Sequence, residues 1–319
     1  MKIVCLDGFT LNPGDNPWTE VEALGDLTVH DRTPADQILE RAAGAEVLLT
    51  NKTPITAETI AALPDLKFIT VLATGYNIVD TDAARERGIA VSNVPIYGTD
   101  TVAQYTFALL LDHCHHVAHH SDRVMDGEWA RRGDFCFWDY PLIELANLKM
   151  GIIGFGRIGR RVGELANAFG MEVLAADVYR GEDPGYQPFA WKEIEEVFSE
   201  ADVVSLHCPQ TADNVGFVNQ ALLSKMKPNA FLINTSRGAL INESDLADAL
   251  NKDVLAGAAV DVVSKEPITD DNPLLGAKNI RITPHMAWGT LAARTRLMGT
   301  TADNVRAYQQ GKPINVVNG

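Results

Sequence analysis

The chain has 319 residues, 46% of them hydrophobic and 22% charged, which is enough for two soluble domains, each with its own core. A formal charge of −15 argues against nucleic acid or an anionic membrane as partner, and it obliges any site for an anionic substrate to carry local positive charge. Cys5, Cys114, Cys136 and Cys208 form no CxxC pair; this argues against a zinc ribbon or a disulfide scaffold, and with no signal peptide and no run of 18 apolar residues a cytoplasmic location is expected.

Short apolar runs at residues 3–6, 47–50, 68–72 and 90–91 alternate with amphipathic stretches at 35–43 and 56–62. Pro54, Pro64 and Pro95 punctuate the loops between them. Such alternation predicts a parallel sheet covered by helices. Residues 101–125 then read as one long helix with Ala103, Phe107, Leu110 and Leu111 on a common face, followed by an aromatic stretch around Phe135, Phe137, Trp138 and Tyr140. A second series of runs at 149–153, 173–176, 203–206, 230–233, 256–260 and 280–283 predicts a complete doubly wound sheet, and a last helix is expected over 291–310. The fold class is therefore α/β, with two doubly wound parallel sheets.

The strand at 149–153 runs into Gly154-Phe155-Gly156-Arg157-Ile158-Gly159 and then into a helical pattern over 160–169. Gly154 permits the tight turn, Gly156 lets backbone approach a pyrophosphate, and Gly159 lets helix pack close to strand. The helix N-terminus offers N–H groups and a positive dipole end to phosphates. Asp177 follows 18 residues after Gly159, at the end of the next strand. It is placed to accept hydrogen bonds from the adenosine ribose, and its charge favours NAD over NADP; Arg180 nearby weakens that preference slightly. A lone GxGxxG carries little weight, but here strand, turn, helix and acid occur in order.

Three segments follow the last strands of the second series: Asn234-Thr235-Ser236-Arg237-Gly238, Asp261 to Pro267, and Thr283-Pro284-His285. Ligands of open parallel sheets bind beyond the carboxyl ends of the strands, so Arg237, Glu266 and His285 are expected on the cofactor's side. Reduction of a 2-oxo acid needs a cation to fix the carboxylate and polarise the carbonyl, which the forked Arg237 can do. It needs a proton donor, His285, and a carboxylate to orient that imidazole and stabilise its charged form, Glu266. Singly, each residue reads more readily as a surface cation or a structural histidine; three at consecutive strand ends beside a dinucleotide turn read as a site. His113, His115, His116, His119 and His120 include two i,i+4 pairs that could share a metal, but no acidic third ligand has supporting spacing and the chemistry needs none, so no metal is expected.

With its TSRG, EP and TPH segments the chain resembles the D-isomer-specific 2-hydroxyacid dehydrogenase family over nearly its whole length. The resemblance implies an NAD-binding Rossmann domain, residues 100–290, inserted into a flavodoxin-like substrate domain of residues 1–99 and 291–319. It implies a dimerisation arm over 101–140, hence a homodimer, with Phe135, Phe137 and Trp138 at the interface and Trp138 near the partner's active site. It adds Cys208, Pro209, Thr235 and Asp261 to the cofactor-binding set of Gly154, Gly156, Arg157, Ile158, Gly159 and Asp177. Substrate contacts fall on the loop matching Thr74-Gly75, with Lys52 as added charge, together with Arg237 and His285. Segments 51–56 and 73–77 and the stretch around Trp138 most resemble the members that interconvert hydroxypyruvate and glycerate; glyoxylate and D-lactate-type substrates stay open. A non-enzymatic, nucleotide-sensing co-repressor would keep the same fold and triad, but the polar tail expected there is lacking.

Overall fold

A computed structural model describes residues 1–319 and divides them into two units, residues 1–98 with 288–319 and residues 99–287. The first unit holds five parallel strands: β1 (Lys2–Cys5), β2 (Asp26–Val29), β3 (Val47–Thr50), β4 (Phe68–Val71) and β5 (Ala90–Ser92). Their order is β2-β1-β3-β4-β5, the flavodoxin-like arrangement. β3 and β4 are buried along their whole length, as continuous apolar runs in a parallel sheet should be. β2 escaped the sequence reading because it is an edge strand, with Asp26 and Thr28 exposed and only Leu27 and Val29 half-buried. The helix Leu291–Gln309 returns to this sheet and packs Leu297, Met298, Ala302 and Val305 with Ile3, Val47 and Phe68.

The second unit holds seven parallel strands: β6 (Lys149–Ile153), β7 (Glu172–Ala176), β8 (Phe189–Trp191), β9 (Val203–Leu206), β10 (Phe231–Asn234), β11 (Gly257–Val260) and β12 (Ile280–Ile282). The order β12-β11-β10-β9-β6-β7-β8 is that of a Rossmann sheet, and it reverses direction between β6 and β9, where such sheets take their ligand. β8, also missed in the sequence, is a half-buried edge strand whose Phe189 and Trp191 rings lie 5.2 and 5.4 Å from that of Phe155.

The helix predicted over 101–125 is two helices, Thr99–His115 and Val117–Met125. The first buries Ala103, Phe107, Leu110 and Cys114 against Met150, Ile152 and Phe231. The second buries nothing. They are separated by His116, whose φ of 45° lies in the left-handed region that a histidine tolerates only at some cost. Neither glycine nor proline marks this break, and it separates His115 from His119, which one continuous helix would have stacked. His119 Nε2 instead lies 2.9 Å from Asp139 Oδ2, and His120 Nδ1 lies 2.9 Å from the His116 carbonyl oxygen. No helix is long and apolar enough to cross a membrane.

Candidate active site

At the end of β6 the glycine turn has the form each residue requires. Gly154 has φ 91°, and a Cβ there would sit 2.4 Å from the Cys208 backbone nitrogen. A Cβ on Gly159 would sit 2.1 Å from the Gly154 carbonyl oxygen, so the helix can approach the turn only without a side chain. Gly156 differs: a Cβ there would meet nothing within 4 Å, so its missing side chain leaves clear the space in front of the helix. The helix spans Arg157–Ala168 with Gly156 as N-cap and no capping side chain. It starts three residues earlier than its apolar pattern indicates, which puts Arg157 and Ile158 in the first turn, where N–H groups and the dipole favour phosphate. These residues fit a dinucleotide.

Asp177 follows β7. Its carboxylate accepts the Phe155 N–H at 2.6 Å and the Tyr179 N–H at 3.1 Å, so it is tied to the glycine turn. Across the switch point, Cys208 and Pro209 follow β9, and burial pushes the Cys208 thiol up to about 11. The Ser236 hydroxyl donates to the Cys208 carbonyl at 2.7 Å, which joins the loops after β9 and β10.

Beyond β10, the Asn234 side chain shapes the loop carrying Arg237. Its amide donates to the Arg237 carbonyl at 2.9 Å and its oxygen accepts the Ser236 N–H at 3.0 Å. Arg237 is exposed while Gly238 is buried, and a Cβ on Gly238 would stand 1.9 Å from the Val263 carbonyl carbon. That close approach brings the Arg237 loop against the loop after β11, which carries Glu266. There His285 Nδ1 lies 2.7 Å from Glu266 Oε2, both side chains about one-third exposed. With the carboxylate ionised, Nδ1 carries the shared proton. Imidazole, carboxylate and guanidinium are thus carried by adjacent loops at one edge of the sheet.

Two residues of the expected cofactor-binding set also carry contacts within the protein. Asp261 is 1% exposed, and its carboxylate is taken up by the Thr283 hydroxyl at 2.6 Å, the Met286 N–H at 3.0 Å and the Ala287 N–H at 2.8 Å. Its carbonyl accepts the His285 N–H at 2.8 Å. These contacts hold the His285 loop and sustain the φ of 52° at His285. The Thr235 hydroxyl lies 3.2 Å from that of Thr106, which ties the start of the Arg237 loop to the helix Thr99–His115.

Sequence reasoning also missed Glu243. Its carboxylate accepts the Ser264 N–H at 2.6 Å and hydroxyl at 2.8 Å and the Asn272 amide at 3.0 Å, fixing the loop on which Glu266 sits. No local signal marked it, since an acid in the first turn of a helix is ordinary.

In the first unit, Lys52 is exposed after β3. Its loop is fixed by Asp7 at the end of β1, which accepts the backbone N–H groups of Asn51, Lys52 and Thr53 at 2.7, 2.5 and 2.7 Å. Thr74 and Gly75 follow β4. The Thr74 hydroxyl donates to the Val94 carbonyl at 2.9 Å and the Asn93 amide to the Thr74 carbonyl at 2.7 Å.

A Rossmann unit with a complete dinucleotide turn, and an imidazole–carboxylate pair at the same sheet edge, define a dinucleotide-dependent oxidoreductase. Residues 107–287 match the family model of the D-isomer specific 2-hydroxyacid dehydrogenase NAD binding domain. A hydroxypyruvate reductase of Blautia hydrogenotrophica is 49% identical over 321 residues, covering 100% of both chains. A glycerate dehydrogenase of Methylorubrum extorquens is 39% identical over 284 residues, 88% of each. The crystal structure of a D-lactate dehydrogenase from Aquifex aeolicus, complexed with NAD and lactic acid, superposes with a TM-score of 0.83 at 28% identity, covering 100% of this chain and 99% of that one. The chain belongs to the D-isomer-specific 2-hydroxyacid dehydrogenases.

Proposed function

We propose that the chain reduces hydroxypyruvate to D-glycerate with NADH and catalyses the reverse oxidation, with glyoxylate as a second 2-oxo acid substrate. The observation that carries the chemistry is the 2.7 Å contact between His285 and Glu266 at the edge that bears the dinucleotide turn. The substrate is taken from the hydroxypyruvate reductase and glycerate dehydrogenase relatives.

When bound at the 154–159 turn, NADH would supply the hydride for C2 of the 2-oxo acid. Arg237 binds the substrate carboxylate and polarises the carbonyl. His285 delivers the proton from Nε2 to the carbonyl oxygen as the alkoxide develops, and takes it back in the oxidation. Glu266 holds Nδ1 and balances the imidazolium charge. The Thr74-Gly75 loop adds backbone N–H contacts to the substrate carboxylate, and Lys52 adds charge. Asp177 receives the adenosine ribose, and its charge favours NADH over NADPH.

Residues 1–99 with 291–319 serve as the substrate domain and 100–290 as the NAD domain. Exposed Trp129, Phe135, Trp138 and Tyr140 support a homodimer formed through 101–140. The four cysteines are free, in keeping with the reducing cytoplasm where we place the chain. The test is a panel of hydroxypyruvate, glyoxylate and pyruvate with NADH and NADPH. Highest kcat/KM with hydroxypyruvate and NADH is expected; a clear preference for pyruvate would move the chain to the D-lactate type.

A further inference from the structure

Asp177 is not the only acid at the ribose edge. β8 runs parallel to β7 with Val173, Leu174 and Ala175 opposite Phe189, Ala190 and Trp191, and the Lys192 N–H donates to the Ala175 carbonyl at 2.9 Å. Asp177 and Glu193 each come two residues after the last pair of this register, Ala175 and Trp191, and so leave the ends of neighbouring parallel strands. Arg180 is the single cation between Asp177 and Pro188. After the turn closed by Asp177 on the Tyr179 N–H, its guanidinium lies on the Glu193 carboxylate. Arg160, the neighbouring cation on the helix, is engaged over the Phe155 ring and on the Glu182 carbonyl.

Binding NADP requires a cation where the 2′-phosphate falls. Arg180 stands close enough in sequence and space to be that cation, but its charge is already matched by a carboxylate that a phosphate would have to displace. We infer that Glu193 is a second cofactor-selectivity residue, which rejects NADPH by holding Arg180 and by adding its own negative charge beside Asp177. This rests on Asp177 as the ribose ligand. Glu193 also caps the helix Ile194–Glu200 through a reciprocal box with Glu196, so a replacement must keep a capping oxygen. Serine does so and removes the charge.

The experiment is a fluorescence titration of NADPH and NADH against the full chain, its Glu193→Ser variant and the double variant Glu193→Ser with Arg180→Ala, without substrate; Glu193→Gln replaces the serine variant if that one does not fold. NADPH affinity should rise about tenfold in Glu193→Ser, the scale of one charge-assisted contact at a partly exposed site. NADH affinity should hold, the gain should shrink as salt is raised, and it should vanish in the double variant. Unchanged NADPH affinity in a folded Glu193 variant, or a gain that survives loss of Arg180, would overturn the inference. A parent that binds both cofactors equally would instead refute the role given to Asp177.

Discussion

Gly238→Ala tests whether the two catalytic loops depend on their close approach. The methyl group would stand 1.9 Å from the Val263 carbonyl carbon, 2.2 Å from its oxygen and 2.4 Å from the Ser264 nitrogen. All three are backbone atoms, so no side-chain rotation relieves the clash. To reach the 3.4 Å of an ordinary contact, one loop must retreat by about 1.5 Å, and a displacement of about 1 Å at reacting groups costs on the order of 100-fold. One of the moving loops carries Arg237 and the other Glu266, so kcat/KM for hydroxypyruvate should fall about 100-fold, with a stability loss of about 1–3 kcal/mol from overpacking. NADH affinity should be largely kept, because the glycine turn and Asp177 lie on other loops. Steady-state NADH oxidation, fluorescence titration and thermal melting make the measurement. A variant with near-parental kcat/KM and melting temperature would refute the claim that Gly238 sets the loop spacing.

Arg237→Ala should lower kcat/KM by about 100- to 1,000-fold, the usual cost of one preorganised electrostatic contact; near-normal turnover would remove Arg237 from the chemistry. Asp7→Ala leaves three backbone N–H groups without their carboxylate, at a cost of roughly 2 kcal/mol, so an unchanged melting temperature would contradict its part in fixing the Lys52 loop. Burial holds His207 down to about 3 and His113 down to about 4, so between the usual 6.5 and those values the unfolded chain binds protons that the folded chain does not. Stability should therefore fall as pH falls through that window, by up to about 1.4 kcal/mol per pH unit for each histidine; His207→Gln should flatten the slope of melting temperature against pH, and an unaltered slope would refute the assignment. Light scattering at micromolar concentration should report a dimer, and a monomer alone would contradict the role given to 101–140.

Much of the site was legible because its chemistry is written locally. Gly154, Gly156 and Gly159 stand between a strand and a helix, and Gly154 and Gly159 each answer a contact that tolerates no side chain. Arg237, Glu266 and His285 end consecutive strands of one parallel sheet, so topology alone brings them to one edge. What stayed hidden depends on pairing at long range. β2 and β8 are edge strands of three or four residues with few buried apolar positions, and periodicity cannot distinguish such segments from loops. The break at His116 has no glycine or proline to announce it. Asp261 stands in sequence at a strand end with the expected cofactor-binding residues, and only the structure shows that it also takes three donors from the 283–287 loop. Asp7 and Glu243 fix loops more than 20 residues away. That the last helix belongs to the first sheet followed from the family resemblance and not from the pattern of the helix.

The central claim is that His285, oriented by Glu266, transfers the proton that accompanies hydride transfer. It is tested most directly by kcat/KM against pH, measured for hydroxypyruvate reduction and for glycerate oxidation with the same enzyme. Reduction needs the imidazole protonated and oxidation needs it neutral, so the two profiles should show opposite limbs governed by one group, and both limbs should move to lower pH in Glu266→Gln, where the imidazolium loses its carboxylate. Limbs that do not oppose one another, or that stay in place when Glu266 loses its charge, would contradict the account.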